Sequence, residues 1–437
     1  MTDPFEPFYQ TIPEPPPPRR RRHTRTLLVV VILAAAAAGA VIALPGGSGQ
    51  GTAAAPATSP AVSPGASHPA SAATPSAANA PRTSVSGIPV PPTGAAPAAA
   101  SKKLDAQTVA DMVQPSMVDV DAPQAFGQSS LSEGTGIILT SSGLVLTNNH
   151  VIEGATHPTA TLVNSGKTYK ATIVGYDSAD DVALLQLVGA SRLTPLTVGN
   201  SNYVAVGQAI LGLGNAQGQG GTPTIAPGQV TALRQTISPA DSTTGAKETL
   251  RGTIQTSAQI QPGDSGGPLA NAAGQVIGVD VAASQAQGLN GTTTTAGYAI
   301  PINQALAIAS QIAARQGTST VRIGLPAFMG VTVADTATDC TSGSGGSGGL
   351  GGSGESGGST SSGAIICGVF SGTPAQSANL EAGDVITSVN GKAVSNANSL
   401  IAVTAGYRPG QSLTVGYVDN SGTTHSAKIT LIDGPAK

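Results

Sequence analysis

The sequence predicts a mainly β protein with more than one domain, carried behind an N-terminal leader, and three observations support that reading. Short apolar runs such as "GIILTSSGLVLTNNHVI", "DVALLQL", "AILGLG" and "QVIGVDVAA" alternate with Gly, Ser and Asn turn signals. Glycine (57) and proline (32) are abundant while aromatics make up 3%, which suits turn-rich sheets and linkers better than one large helical core. The 437 residues leave room for two or three domains, since a typical domain takes about 100 to 200. Charged residues are only 10% and the net charge is -3, so no basic field exists and nucleic acid is not an expected partner.

The leader divides into three parts. Residues 1–26 are Pro-rich and place five arginines between Arg19 and Arg25. Residues 27–44, Leu27 to Leu44, are 18 apolar residues without a charge, just enough for a transmembrane helix, and the arginines before it predict a cytoplasmic N-terminus. A cleaved signal peptide, cut near Ala36 to Ala40, is the competing reading; either way the rest of the chain is exported. Residues 45–103 collapse to Ala, Pro, Ser, Thr and Gly and predict a disordered tether.

A first folded domain is predicted over 104–318. Leu104, Val109, Met112 and Val113 stand at helical spacing, and Pro115 turns the chain into a strand. Ser141, Ser142 and Gly143 predict a hairpin turn. The short strands beyond it make a barrel or a sandwich. Ile302, Leu306, Ala309 and Ile312 share one face of a closing helix, with Gly317 as its expected C′ residue.

Chemistry concentrates at three places in this domain. "QPGDSGGPLA" puts Ser265 among Gly263, Gly266 and Gly267, where a missing Cβ lets backbone N–H groups converge on one point. A serine nucleophile needs a base, and His150, at the end of a strand, is better placed for that than His157 in a polar loop. A base in turn needs an orienting carboxylate. Asp177, Asp180 and Asp181 compete for that role, and Asp181 opens the apolar run Val182–Leu187. A mere structural turn at 263–267 is the bland alternative.

Together "TNNHVI", "DDVALLQL" and "GDSGGPL", in the order His, Asp, Ser, resemble the chymotrypsin-like double β-barrel serine proteases, and specifically the HtrA (Deg) branch. "SEGTGIILTSSGLVLTNNHVI", "GNAQGQGGTPTIAPGQVTAL" and "GYAIPIN" carry the branch-level likeness. The resemblance implies a double β-barrel, Ser265 as nucleophile, His150 as general base and then acid, Asp181 as orienter, and an oxyanion hole from the Gly263 and Ser265 N–H groups. It implies no cofactor or metal. It also implies a specificity pocket with Gln259 at the floor and Gly278, Val279 and Asp280 in the wall, hence small aliphatic P1 side chains. One departure is Asp264, where the family commonly carries Asn. No basic residue precedes an "Ile-Val-Gly" start, so a trypsin-type zymogen switch is not expected.

Residues 319–437 resemble an α+β PDZ domain, with "FMGV" (Phe328, Met329, Gly330, Val331) as the loop that meets a peptide carboxylate and the next strand as the edge that takes up the peptide. The opposite wall is a helix around Ser399 to Ala405, capped by Ser395 or Asn396. Cys340, expected at the end of the strand that begins at Gly330, and Cys367, on the strand after it, flank a Gly/Ser insert at 341–363. Free thiols and a metal site are the alternatives to a disulfide, but outside the membrane pairing is the default. The resulting reading is a membrane-anchored extracytoplasmic serine endopeptidase acting on unfolded or exported envelope proteins, with C-terminal peptides captured at the PDZ groove. Its rival is a peptide-binding or chaperone module with little proteolysis. Family members are often homotrimers through an N-terminal segment of the protease domain, where this chain offers one aromatic, Phe126.

Overall fold

The computed structural model describes residues 87–93, 104–126, 130–238, 249–281, 286–287, 293–294, 297–337, 339–342 and 362–437. The run Leu27–Leu44, most of the tether and residues 343–361 of the insert lie outside the described residues. No described helix is long and apolar enough to cross a membrane.

Helix α1 (Ala106–Val113) starts where the Asp105 carboxylate accepts from the Thr108 N–H and hydroxyl, and it buries Val109, Ala110 and Val113. Pro115 then ends it through a single 3-10 turn. The first six strands are β1 (Met117–Pro123), β2 (Leu131–Ile138), β3 (Leu144–Thr147), β4 (Thr159–Leu162), β5 (Thr168–Asp177) and β6 (Val182–Leu187). They pair in the order β5-β4-β1-β2-β3-β6, and β6 returns to β5 to close a barrel. Between β2 and β3 the tight turn rests on Gly143, whose φ of 92° suits glycine.

The strands of a second barrel are β7 (Ala209–Gly214), β8 (Thr224–Ile237), β9 (Leu250–Thr256), β10 (Pro268–Asn271), β11 (Val276–Val281) and β14 (Gly297–Pro301), with the two-residue pair β12 (Ala286–Gln287) and β13 (Thr293–Thr294) between the last two. This barrel is also closed, in the order β10-β11-β14-β9-β8-β7. Helix α3 (Ile302–Ala313) packs on β5, β6 and β11 and so covers both barrels. This placement explains why "DVALLQL" reads as a continuous apolar run. Val182 and Leu184 of β6 face the core shared with the second barrel, while Ala183, Leu185 and Leu187 fill the first barrel's interior.

The C-terminal domain is built on β17 (Val331–Ala334), β18 (Ala364–Val369), β19 (Val385–Val389), β21 (Ser412–Val418) and β22 (Thr424–Thr430), which form one sheet in that order. Short β20 (Lys392–Ala393) pairs with β19, and β16 (Ala327–Phe328) pairs with β23 (Ile432–Asp433). Helix α5 (Pro374–Ser377) is a single turn, and helix α6 (Ala397–Thr404) begins in a capping box between Asn396 and Ser399.

The structure corrects four expectations. Ile88, assigned to the tether, is 0% exposed and belongs to the protease core with Val109 and Val113, while the Asn200 amide holds Pro92 O at 2.8 Å. An Ile-Pro-Val step has apolar bulk that its Ala/Ser/Thr surroundings lack. The domain boundary after residue 318 falls too early, because β15 (Val321–Ile323) extends the first barrel's sheet along β5. Helix α3 ends before Gly317: Arg315 itself takes the left-handed turn, with φ 56°, and its N–H reaches Ile312 O. Cys340 lies on a short helix, α4 (Asp339–Ser342), and not at the end of β17.

Candidate active site

Helix α2 (Asn149–Ile152) is a single turn that comes directly after β3 and carries the partly exposed His150. Asp181 immediately precedes β6, the partner strand of β3, with Thr147 opposite Ala183. The pairing therefore delivers the carboxylate to the histidine. His150 Nδ1 stands 2.8 Å from Asp181 Oδ2, and the His150 N–H donates to Asp181 Oδ1 at 2.9 Å. Asn148 Nδ2 adds a third tie, to Asp181 O at 2.9 Å. The carboxylate is 2% exposed and the imidazole 35%. Asp181 holds a φ of 52°, a strained value for a non-glycine residue of the kind that clusters at active sites.

The rival carboxylates are engaged elsewhere. Asp177 accepts from the Ala179 and Asp180 N–H groups and from the Thr320 hydroxyl, and Asp180 accepts from Gln304. His157 is exposed and bonded to Thr156.

Ser265 sits on the turn before β10 and is 4% exposed. Its turn is braced from the first barrel by Thr135, a β2 residue that sequence reasoning did not single out. The Thr135 N–H donates to Ser265 O at 2.8 Å, and its hydroxyl donates to Gly263 O at 2.8 Å while accepting from the Asn215 N–H at 2.9 Å. Thr147 Oγ1 in turn donates to Thr135 O at 2.7 Å. Gly134, next to Thr135, is wedged between the two halves of the site: a Cβ there would stand 2.7 Å from the Val151 methyls and 3.1 Å from Ser265 O. Gly266 has φ 84°, and a Cβ on it would run into Thr135 O and the Thr147 hydroxyl, so only glycine fits. One signal was available in the sequence, the "GTG" run at 134–136 before the apolar strand.

The expected pocket residues divide. Gln259 is exposed and bonds its neighbour's Ser257 O at 3.4 Å instead of lying at a floor. Val279 turns into the core, whereas Asp280, two residues along on β11 from Gly278, is fully buried. Asp264, whose partner the sequence left open, accepts from the Gln261 N–H at 2.8 Å through Oδ2. Burial raises the Asp264 pKa to about 6, against the Gln261 bond. Burial, then the Asp264 charge, raises Asp280 well above the usual carboxylate range, with the Leu213 backbone opposing in part.

In the C-terminal domain Met329 is 5% exposed and packs in that domain's core, Gly330 has φ 99°, and β17 is the outer strand of its sheet. Phe328 meets Phe126 of the first barrel at 4.8 Å between ring centroids, and Phe370 closes a three-ring cluster. The one aromatic assigned to a trimer contact is thus engaged within the chain. Cys340 and Cys367 form a disulfide.

The trypsin-like peptidase domain family matches residues 134–279, and the PDZ domain family matches residues 327–431. Serine protease PepD of Mycobacterium tuberculosis is 31% identical over 348 residues, 77% of this chain and 68% of that protein. Serine protease Do-like HtrA of Lactobacillus helveticus is 30% identical, covering 69% of this chain and 68% of its own length. The periplasmic pH-dependent serine endoprotease DegQ of Escherichia coli is 31% identical, covering 71% and 62% respectively. Among solved structures, the HtrA-type protease AlgW with tripeptide aligns at 26% identity with a TM-score of 0.41, over 76% of this chain and 98% of that one. Two closed six-stranded barrels, a His-Asp pair, a Gly-flanked serine turn, and two relatives matched over two thirds of their length agree: the chain belongs to the HtrA family of serine endopeptidases, with a trypsin-like peptidase domain followed by a PDZ domain.

Proposed function

We propose that this endopeptidase works through Ser265, His150 and Asp181. The observation that carries the assignment is the two-point grip of Asp181 on His150, at Nδ1 and at the backbone N–H. It leaves Nε2 as the base. Ser265 Oγ attacks the scissile carbonyl carbon and gives its proton to His150 Nε2. The Gly263 and Ser265 N–H groups stabilise the oxyanion, and one such donor is worth about 3 kcal/mol of barrier in comparable enzymes. His150 then protonates the leaving amine, and water, deprotonated by the same nitrogen, releases the acyl group. Asp181 stabilises the imidazolium throughout.

The substrates proposed are unfolded or exported proteins of the cell envelope, with small aliphatic residues at P1. Gln259 brings no charge, and burial, then the Asp264 charge, favours the neutral form of Asp280. The end position of β17 among the described strands of its sheet and the Phe328–Val331 loop support capture of C-terminal peptides. Arginines 19–25 before Leu27–Leu44 support a membrane anchor with the folded domains outside.

Casein turnover with and without a fluorophosphonate tests the assignment. Labelling should fall on Ser265 and abolish turnover; unlabelled Ser265 in an active preparation refutes it.

A further inference from the structure

Residues 434–437 follow β23, the partner of β16, and run back onto the first barrel. The Gly434 N–H donates to Pro326 O at 2.8 Å, which ties the segment to the entry of β16. Beyond it the Gly154 N–H donates to Ala436 O at 2.9 Å, and the Ala436 N–H donates to Ala155 O at 3.0 Å. Ala436 is 2% exposed and sits in the first barrel's core together with Val151 and Ile152. Asn149 Nδ2 reaches Lys437 O at 3.3 Å.

These contacts bracket His150. Helix α2 is four residues long, far below the length at which a helix holds itself in water, so tertiary contacts must set its position. At one end Asn148 and Asp181 grip it. Its C-terminal end rests on Gln124 Nε2, which donates to Glu153 O, on the Ala125 N–H, which donates to Gly154 O, and on residues 434–437. The last of these comes from the far end of the chain.

We propose that Gly434, Pro435, Ala436 and Lys437 form a positioning strap that fixes the orientation of the His150 turn, so that the PDZ domain's exit segment helps to set the rate of chemistry in the protease domain. The proposal rests on His150 being the general base. Because β23 pairs with β16, which leads into the Phe328–Val331 loop, a shift of that loop is transmitted to Ala436 through two intervening residues.

Ala436→Asp in the full chain puts a charge into the apolar seat and should release the strap. The expected result is a fall in kcat on a short chromogenic peptide, and in the rate of Ser265 phosphonylation, of tenfold or more with KM changed less than twofold. Ala436→Gly keeps both backbone bonds and should recover most of the rate. A kcat within twofold of the parent, while hydrogen exchange shows the Gly154 amide released, overturns the proposal. Should Ala436→Asp not fold, hydrogen exchange on the unaltered protein decides: Gly154 and Ala436 amides protected together support the strap, and exchange at the rate of free peptide overturns it. His150→Ala run alongside separates the two claims. An active His150→Ala variant sinks the base assignment, whereas an inactive one beside an unaffected Ala436→Asp sinks the strap alone.

Discussion

Asp264 and Asp280 lie in one another's field behind Ser265, and three of their four carboxyl oxygens have no well-aligned hydrogen-bond partner among the described residues. Both stack on the glycine face of β7: a Cβ on Gly212 would stand 3.1 Å from Asp280 Oδ2, and one on Gly214 2.6 Å from Asp264 Oδ1. The chain thus keeps two acids in a space shaped for neutral groups, and protonation relieves the conflict.

Stability should therefore fall as pH rises. In the unfolded chain both acids titrate near pH 4, whereas the folded pKa of Asp264 is about 6 and that of Asp280 is raised well above the usual carboxylate range by burial. The folded state binds more protons, so its advantage is complete below pH 4 and declines through pH 6 and above. Asp264→Asn should raise stability at pH 8 by about 2 to 3 kcal/mol, with the gain vanishing near pH 4. Melting curves of parent and variant across that range check it. An Asn variant less stable than the parent at pH 8 would contradict it.

The triad assignment predicts unequal effects among three neighbouring acids. Ser265→Ala and His150→Ala should each lower kcat by about four to six decades. Asp181→Asn should cost about four decades through the wrong histidine tautomer. Asp177→Asn and Asp180→Asn should stay within about tenfold, since their partners are Thr320 and Gln304. Steady-state kinetics on all five variants settle the order.

Thr135 should matter although no substrate reaches it. Thr135→Val keeps the shape but strips Gly263 O and the Asn215 N–H of their shared partner, each a buried group whose loss costs about 1 to 3 kcal/mol. Loosening the oxyanion turn should lower kcat about ten- to a hundredfold with KM little changed. Thr135→Ser, which retains the hydroxyl, should regain most of the loss.

Removing the disulfide should act on one domain only. For a ring of this size, whose two cysteines are 27 positions apart in the sequence, the chain-entropy model gives roughly 3 to 4 kcal/mol. Cys340→Ser with Cys367→Ser should lower PDZ melting and weaken C-terminal peptide binding, while hydrolysis of a short chromogenic substrate changes less than about threefold. Calorimetry and peptide titration test this. Unchanged PDZ melting would refute it.

The meeting of His150 and Asp181 was legible because one closes an apolar run and the other opens one, and Ser265 was singled out by the glycines around it. Of the two caps the sequence offered, Ser395 and Asn396, the structure uses Asn396. What escaped was non-local. Thr135 becomes a brace only when β2 is laid against a turn 130 residues away in the chain. Ile88 joins the core only because a short apolar step inside a polar tract finds a hole in a domain that begins later. Gln259 was placed by counting back from the serine, and the backbone turn there points it outward. The strap of residues 434–437 had no sequence signal at all, since its bonds are made by backbone.

The Cys340–Cys367 bond has a consequence for sequence change over time. Its Cα atoms are 5.1 Å apart, so the fold asks only that the two ends of the insert meet. In an open loop each doubling of length costs about 0.6 kcal/mol of closure entropy. Once the bond has formed, the ring is closed in the folded and the unfolded chain alike, and added residues burden both states equally. Stability then becomes nearly blind to insert length, and this segment can gain or lose Gly/Ser units without selection on the PDZ fold resisting the drift.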